Sequence, residues 1–354
     1  MIPALGYAAH DPSSPMAPWR FDRRDPGPTD VRIRVEYCGV CHSDLHFVRG
    51  EWGAIQYPQV PGHEIVGRVV AVGDAVTAHQ VGDAVGVGCL VDSCRECASC
   101  GDGLEQYCER GHTQTYGGVE KETGRPTQGG YSSEIVVDQR FVLRVPDGLD
   151  LAAAAPLLCA GITTYSPLRE WKVGAGSRVG VVGLGGLGHM AVKLANAMGA
   201  EVTMFTTSPE KGADAERLGA RRVVVSRDAA AMKGARNSLD VILDTVSVPH
   251  DLEALLATLR RDGTLVLLGG APAPHSSPSA FSFIMQRKRM AGSLIGGLPE
   301  TQEMLDFCAR HRLGADIELL PVQRIAEAYA RMLKSDVKYR FVLDMATLRD
   351  GPAA

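Results

Sequence analysis

The chain lacks the features that would send it to a membrane, to nucleic acid or out of the cell. Its start, MIPALGYAAHDPSSPMAPW, has no basic segment followed by an apolar one, so it does not read as a signal peptide. No run of about eighteen apolar residues occurs, so no membrane span is expected. Formal net charge is -4 and the pI is about 6.2, and no basic patch points to nucleic acid. Neither an internal repeat nor a low-complexity linker is visible. The expectation left standing is a cytoplasmic globular protein that handles a small molecule. Hydrophobic residues at 45% and charged residues at 22% are ordinary for that class. The 354 residues suffice for two domains with a substantial core.

What the chain does have is thiols. Nine cysteines without an export signal suit the reducing cytosol, and an odd count fits a disulfide framework poorly. Cys94, Cys97, Cys100 and Cys108 follow C-x2-C-x2-C-x7-C spacing inside one loop. Four thiolates close a tetrahedron around zinc and leave no vacancy, which makes a structural site. Cys41, His63 and Cys159 lie far apart, and three ligands leave one position open, as a catalytic zinc requires. Two zinc ions per chain are therefore expected. Cys38, Cys89 and Cys308 remain unassigned, and a buried free thiol is the default for each.

Residues 1–155 read as β-rich. Val31, Ile33, Val35 and Tyr37 alternate with Arg32, Arg34 and Glu36 as a half-buried strand does. Short apolar runs follow at Ile65–Val72, Ala84–Val87, Glu134–Val137 and Phe141–Val145. Beyond the Ala-rich 151–155 the pattern changes to alternating strands and helices. Arg178–Gly183, Glu201–Thr206, Arg222–Val225, Val241–Thr245, Thr264–Leu268 and Met290–Ile295 are the expected strands. His189–Met198, Glu210–Leu218 and Asp251–Arg260 are the expected helices. Such alternation with apolar strands predicts a parallel sheet covered on both faces. The Pro/Ser-rich loop 271–280 follows a strand's C-terminal end, where ligands bind in these sheets. Two amphipathic helices, Thr301–His311 and Ile325–Lys334, and a closing strand at Tyr339–Asp344 then return to the first domain. The expected division is α/β: a β-barrel domain from 1–155 and 294–354, with the cysteine lobe at about 89–112, and a doubly wound domain from 156–293.

Gly183, Leu184, Gly185, Gly186, Leu187 and Gly188 form G-x-G-x-x-G after a strand and at the opening of a helix. That context is what distinguishes a dinucleotide site from a chance match. Gly183 permits the tight turn, Gly185 the approach of a pyrophosphate and Gly188 helix–strand packing. An NAD-binding unit places an acid about twenty residues on, at the end of the second strand. Here that stretch is Thr206-Thr207-Ser208-Pro209-Glu210-Lys211. Hydroxyls and a cation accommodate a 2′-phosphate, so NADP(H) is expected over NAD(H). The competing reading has Thr207 and Ser208 capping the next helix, Lys211 solvated, and Glu210 able to turn inward.

Gly62, His63, Glu64, Gly67, Gly73 and Val76 fit GHE-x2-G-x5-G-x2-V, which resembles the signature of zinc-containing medium-chain alcohol dehydrogenases. CGVCHSDLH, the four-cysteine lobe and GLGGLGH agree with it in order and spacing. VPGHEIVG, VDSCRECASC, QGGYSSEIVV, PLLCAGITTYSPL and GSLIGGLPETQEMLDFC resemble the cinnamyl alcohol dehydrogenase branch, which includes bacterial NADPH-dependent aldehyde reductases. The likeness runs over essentially the whole chain. It implies a GroES-like catalytic domain and a Rossmann domain, with Cys41, His63 and Cys159 as catalytic zinc ligands. It also implies Glu64 as a carboxylate able to approach the metal, and a homodimer paired near Met285–Ile295. Asp44 is expected either to orient the His63 ring or simply to cap a helix.

Reducing an aldehyde leaves an alkoxide that must take a proton. Ser43 lies two residues past a ligand, and His46 shares its face if the segment is helical. A Ser43–His46 relay to solvent is the expectation that the resemblance supports; otherwise His46 is an exposed helix residue. His42 and Thr163 are grouped with the cofactor. Trp52, Leu90, Tyr116 and Leu298 are apolar candidates for the substrate wall, favouring aromatic or medium aliphatic aldehydes, though each could equally pack a domain interface. Two other classes stay open: a zinc-free quinone or enoyl reductase on this fold, and a non-catalytic zinc- and nucleotide-binding protein. The intact ligand set weighs against the first, and Ser43 with His46 against the second.

Overall fold

The computed structural model describes residues 1–271 and 273–348. Pro272, inside the predicted ligand loop, is thus outside the described residues. The chain divides into two compact units: Met1–Cys159 with the segment from Gly296 onward, and Ala160–Ile295. The divisions fall a few residues past 155 and 293.

The first unit is organised around the long strand Asp30–Gly39. It pairs antiparallel with Ile65–Val72, Glu134–Asp138 and Arg340–Asp344 in a seven-stranded sheet. Val31, Ile33 and Val35 alternate inward and are buried, while Arg34 between them is exposed. Register then positions the site. Cys38 pairs with Ile65, so the chain ends carrying Cys41 and His63 leave the sheet side by side. The 3-10 turn Ala155–Leu158 packs Leu158 against Gly86 and Gly88 beside Ala84–Val87, a strand that itself pairs with Ile65–Val72. Cys159 follows directly on that turn. The closing strand puts Val342 opposite Gly39, which delivers Arg340 to the same corner.

Three local expectations shift. A hairpin, Ile2–Ala8 with Ala17–Arg23, precedes the first expected strand. Phe141–Val145 divides into the 3-10 turn Gln139–Phe141 and the short strand Leu143–Arg144. Asp251–Arg260 is helical only over Leu252–Leu256, because Leu259 is fully buried and already pairs with Leu239.

The second unit is a six-stranded, fully parallel sheet. In space the strands run Arg222–Val225, Glu201–Thr206, Arg178–Val182, Leu239–Asp244, Leu259–Leu267, Arg289–Gly292. This is the doubly wound dinucleotide-binding order, reversing beside Arg178–Val182. Phe205, Ile242, Leu256, Leu259 and Leu265 form its buried cluster, each burial worth about 1.5–3 kcal/mol. No single helix among the described residues is long and apolar enough to cross a membrane.

Candidate active site

Cys41 stands at the N-cap of helix His42–Val48 in extended conformation. Asp44 turns back from the first turn of that helix. Its Oδ2 accepts the Cys41 N–H at 2.8 Å, and its Oδ1 accepts the Gly62 N–H and the His63 Nδ1 proton, both at 3.1 Å. One buried carboxylate thus caps the helix and orients the imidazole, leaving His63 Nε2 as the nitrogen available to a metal.

The donor atoms of Cys41, His63, Glu64 and Cys159 all lie within 4.8 Å of one another. The Cys41 and Cys159 sulfurs are 4.0 Å apart. Two thiolates about 2.3 Å from one tetrahedral zinc would be separated by about 3.8 Å, so the donor set fits that ion. A hydrogen bond from Cys159 holds Cys41 well below the usual thiol range, and the same contact raises Cys159. Burial opposes charge on His63, yet Asp44 and the Cys89 sulfur hold it well above its ordinary value. A divalent cation would displace the protons of Cys159 and of His63 Nε2, as metal-ligand sets do.

Glu64 has no exposed surface, and burial pushes its carboxyl up to about 7 despite Arg340. One of its oxygens pairs with the Arg340 guanidinium; the other has no hydrogen-bond partner among the described residues. The Arg340-paired oxygen is the one that faces the ligands, 3.9 Å from His63 Nε2, while the orphaned oxygen lies against Gly39. Arg340 opens the closing strand and was not foreseen.

Ser43 Oγ lies 3.6 Å from Cys41 Sγ. His46, one turn further on, is about a third exposed, and its Nδ1 lies 2.5 Å from Glu51 Oε2. Glu51, also unforeseen, therefore holds the ring that faces solvent. His42 is exposed on the same helix. Of the apolar candidates, Tyr116 is buried with its ring 5.6 Å from that of His63. Phe47, which the sequence reading omitted, meets Tyr116 edge-on at 4.9 Å. Trp52 is 60% exposed and lies 5.5 Å from His46, ring to ring. Leu90 is buried just past Cys89. Leu298 heads helix Leu298–His311, and its N–H bonds Glu105 in the cysteine lobe at 2.9 Å.

In that lobe the sulfurs of Cys94, Cys97, Cys100 and Cys108 gather within 4.8 Å. Backbone N–H groups point at them: Cys94 N to Cys108 Sγ at 3.3 Å, Cys97 N to Cys94 Sγ and Glu109 N to Cys97 Sγ, each at 3.4 Å. Arg95, inside the first C-x2-C, takes φ 67° and is anchored by Asp92 and Asp138.

In the second unit Gly183 turns the chain at φ 88° after strand Arg178–Val182, and helix Gly186–Ala197 begins with Gly185 as its N-cap. A Cβ on Gly188 would lie 1.8 Å from the Gly183 carbonyl oxygen, whereas one on Gly185 would meet nothing within 4 Å. The first contact demands glycine for packing; the second leaves room for a phosphate at the helix N-terminus. At the end of Glu201–Thr206, Thr206 Oγ1 accepts the Ser208 N–H at 3.1 Å. Lys211 Nζ reaches back to the Leu184 carbonyl at 3.3 Å, over the glycine turn. Thr207 and Glu210 are exposed. Thr163 is buried in helix Ala160–Glu170.

A two-ligand-set chain with a Rossmann sheet is the architecture of a metal-dependent, nucleotide-dependent dehydrogenase. The comparisons agree. The family descriptions "Alcohol dehydrogenase GroES-like domain" and "Zinc-binding dehydrogenase" match residues 27–147 and 186–310. Aldehyde reductase YahK of Escherichia coli is 57% identical over 350 residues, covering 99% of both chains. A cinnamyl alcohol dehydrogenase from Sorghum bicolor superposes with TM-score 0.95 at 47% identity, covering 99% of this chain and 100% of that one. The Helicobacter pylori CAD solved with NADP(H) gives TM-score 0.92 at 40% identity, covering 98% and 99%. The chain belongs to the zinc-containing medium-chain alcohol dehydrogenase family, in its cinnamyl alcohol dehydrogenase branch.

Proposed function

We propose that this chain is a zinc- and NADP(H)-dependent aldehyde reductase, interconverting aromatic or medium aliphatic aldehydes and primary alcohols. The observation that carries the reading is the buried donor set of Cys41, His63 and Cys159 with Glu64 beside it. Those three residues would hold the catalytic zinc, and the four lobe cysteines a structural one. Bound there, zinc supplies Lewis-acid polarisation of a carbonyl, and NADPH supplies the hydride.

The chain's own residues do the rest. Asp44 fixes the His63 tautomer. Arg340 keeps the ligand-facing oxygen of Glu64 paired, and release of that pair is what would free it during exchange. Ser43 hands a proton to the product oxygen, and His46, steadied by Glu51, exchanges it with solvent. Tyr116, Phe47 and Trp52 supply flat apolar walls, with Leu90 and Leu298 as weaker candidates. In the Rossmann unit, the backbone of Gly183–Gly188 receives the pyrophosphate. Thr206, Thr207, Ser208 and Lys211 receive the 2′-phosphate, with His42 and Thr163 as further cofactor contacts. The absence of an acid at that strand end supports NADP(H), and so does the nucleotide in the Helicobacter pylori relative.

We also propose a homodimer. Met290 lies on the outermost strand Arg289–Gly292, and Phe281, Ile284, Met285 and Leu294 beside it are all at least half exposed. An uncovered apolar sheet edge of this kind invites a second copy. Nine free thiols favour a cytoplasmic setting.

The test is a panel of aldehydes assayed with NADPH and NADH in parallel. Benzaldehyde and medium aliphatic aldehydes should turn over with a strong NADPH preference. NADH preference would overturn the nucleotide reading. No oxidation of either cofactor by any aldehyde would overturn the enzyme reading.

A further inference from the structure

Tyr131 belongs to the segment QGGYSS, which the functional reading leaves without a role. It has no exposed surface. Its backbone is strapped along the turn that presents His63: Gly129 N bonds Val60 O at 2.7 Å, Gly130 N bonds Gly62 O at 2.9 Å and Tyr131 N bonds Pro61 O at 3.0 Å. The ring closes on that turn. A Cβ on Gly62, whose φ is 101°, would lie 2.6 Å from Tyr131 Cδ1 and 2.8 Å from Cys38 Sγ. The phenol then donates to Asp44 Oδ2 at 3.1 Å.

Asp44 therefore gathers donors from three segments. Oδ1 takes Gly62 N and His63 Nδ1; Oδ2 takes Cys41 N and the Tyr131 hydroxyl. A buried carboxylate held on both oxygens cannot rotate without breaking a bond on each. Without the phenol, Oδ2 keeps only the Cys41 N–H among these four, and the carboxylate's plane is fixed less firmly, with Tyr116 as its remaining phenol neighbour. The direction in which His63 Nε2 points depends on that carboxylate's plane.

We propose that Tyr131 is a positioning residue for the catalytic zinc, acting through Asp44 to hold the His63 ring in its ligating orientation. The inference rests on the zinc reading above. Its prediction is selectivity: loss of the phenol should loosen one zinc of the two and leave the lobe zinc untouched.

The experiment follows zinc release from the full-length protein into a chromogenic chelator, for wild type, Tyr131→Phe, Asp44→Asn and the double variant, with thermal melting alongside. Tyr131→Phe should release one zinc about tenfold faster, the scale of outer-shell effects on metal sites. The second zinc should leave at the wild-type rate and the melting midpoint should hold. The double variant should release no faster than Asp44→Asn alone. Unchanged release from Tyr131→Phe would overturn the inference, as would equal acceleration at both sites or additive effects in the double variant. A wild-type chain carrying only one zinc would overturn the zinc reading itself, and this inference with it.

Discussion

The two thiol clusters use the same ligand and differ in nearly everything around it. The lobe draws its four sulfurs from the single segment 94–108 and surrounds them with backbone N–H groups. The other set takes residues 41, 63 and 159 from three separated segments and surrounds them with ionisable side chains: Asp44, Glu64 and Arg340. Backbone amides neutralise fixed negative charge and never change protonation, which suits a permanent ion. Carboxylates and a guanidinium can exchange partners, which suits a site whose fourth position must open and refill. Burial reinforces the difference: Cys41, His63, Glu64 and Cys159 are all buried, while three of the lobe's four cysteines are only partly so.

The comparison can be broken at either end. Cys41→Ser should lower turnover about a thousandfold or more, since the Lewis acid is worth several kcal/mol at about 1.4 kcal/mol per tenfold, while the melting midpoint stays within a few degrees. Steady-state rates and a thermal melt read both. Cys97→Ser should do the reverse, dropping the midpoint by about 10 °C or more, because each kcal/mol moves a domain of this size about 2–4 °C. Rates measured well below that midpoint should remain near wild type.

Arg340→Leu sharpens the contrast within the buried set. It leaves the Glu64 carboxylate without its counter-charge, at a cost of about 3–5 kcal/mol by denaturant unfolding. Lys211→Ala should raise KM for NADPH about tenfold and leave KM for NADH in place, the value of one charge-assisted hydrogen bond. Glu51→Gln should have the smallest effect, slowing turnover by less than about tenfold because His46 keeps its access to solvent.

Legibility followed the same division. The lobe could be read from spacing because its ligands are local. The dinucleotide turn could be read because strand, glycines and helix are consecutive. The parallel sheet was visible in its continuous apolar strands. Arg340 was not visible: it reaches Glu64 across 276 residues of sequence, and a lone arginine opening a strand carries no local mark. Glu51 was one exposed acid among many until the fold put it on His46. Leu259 shows the limit of periodicity, since its spacing suits both a helix and the strand it forms with Leu239. The apolar character of Leu298 marks it as a wall candidate, and only the fold shows its backbone tied to Glu105 in the lobe.

The most direct test of the two-site assignment is the zinc content of three purified chains: wild type, Cys41→Ser and Cys97→Ser. Two zinc ions per wild-type chain and one in each variant are expected, with Cys41→Ser stable and inactive and Cys97→Ser less stable and still active when folded. A single zinc in the wild type, or two retained in Cys41→Ser, would contradict it.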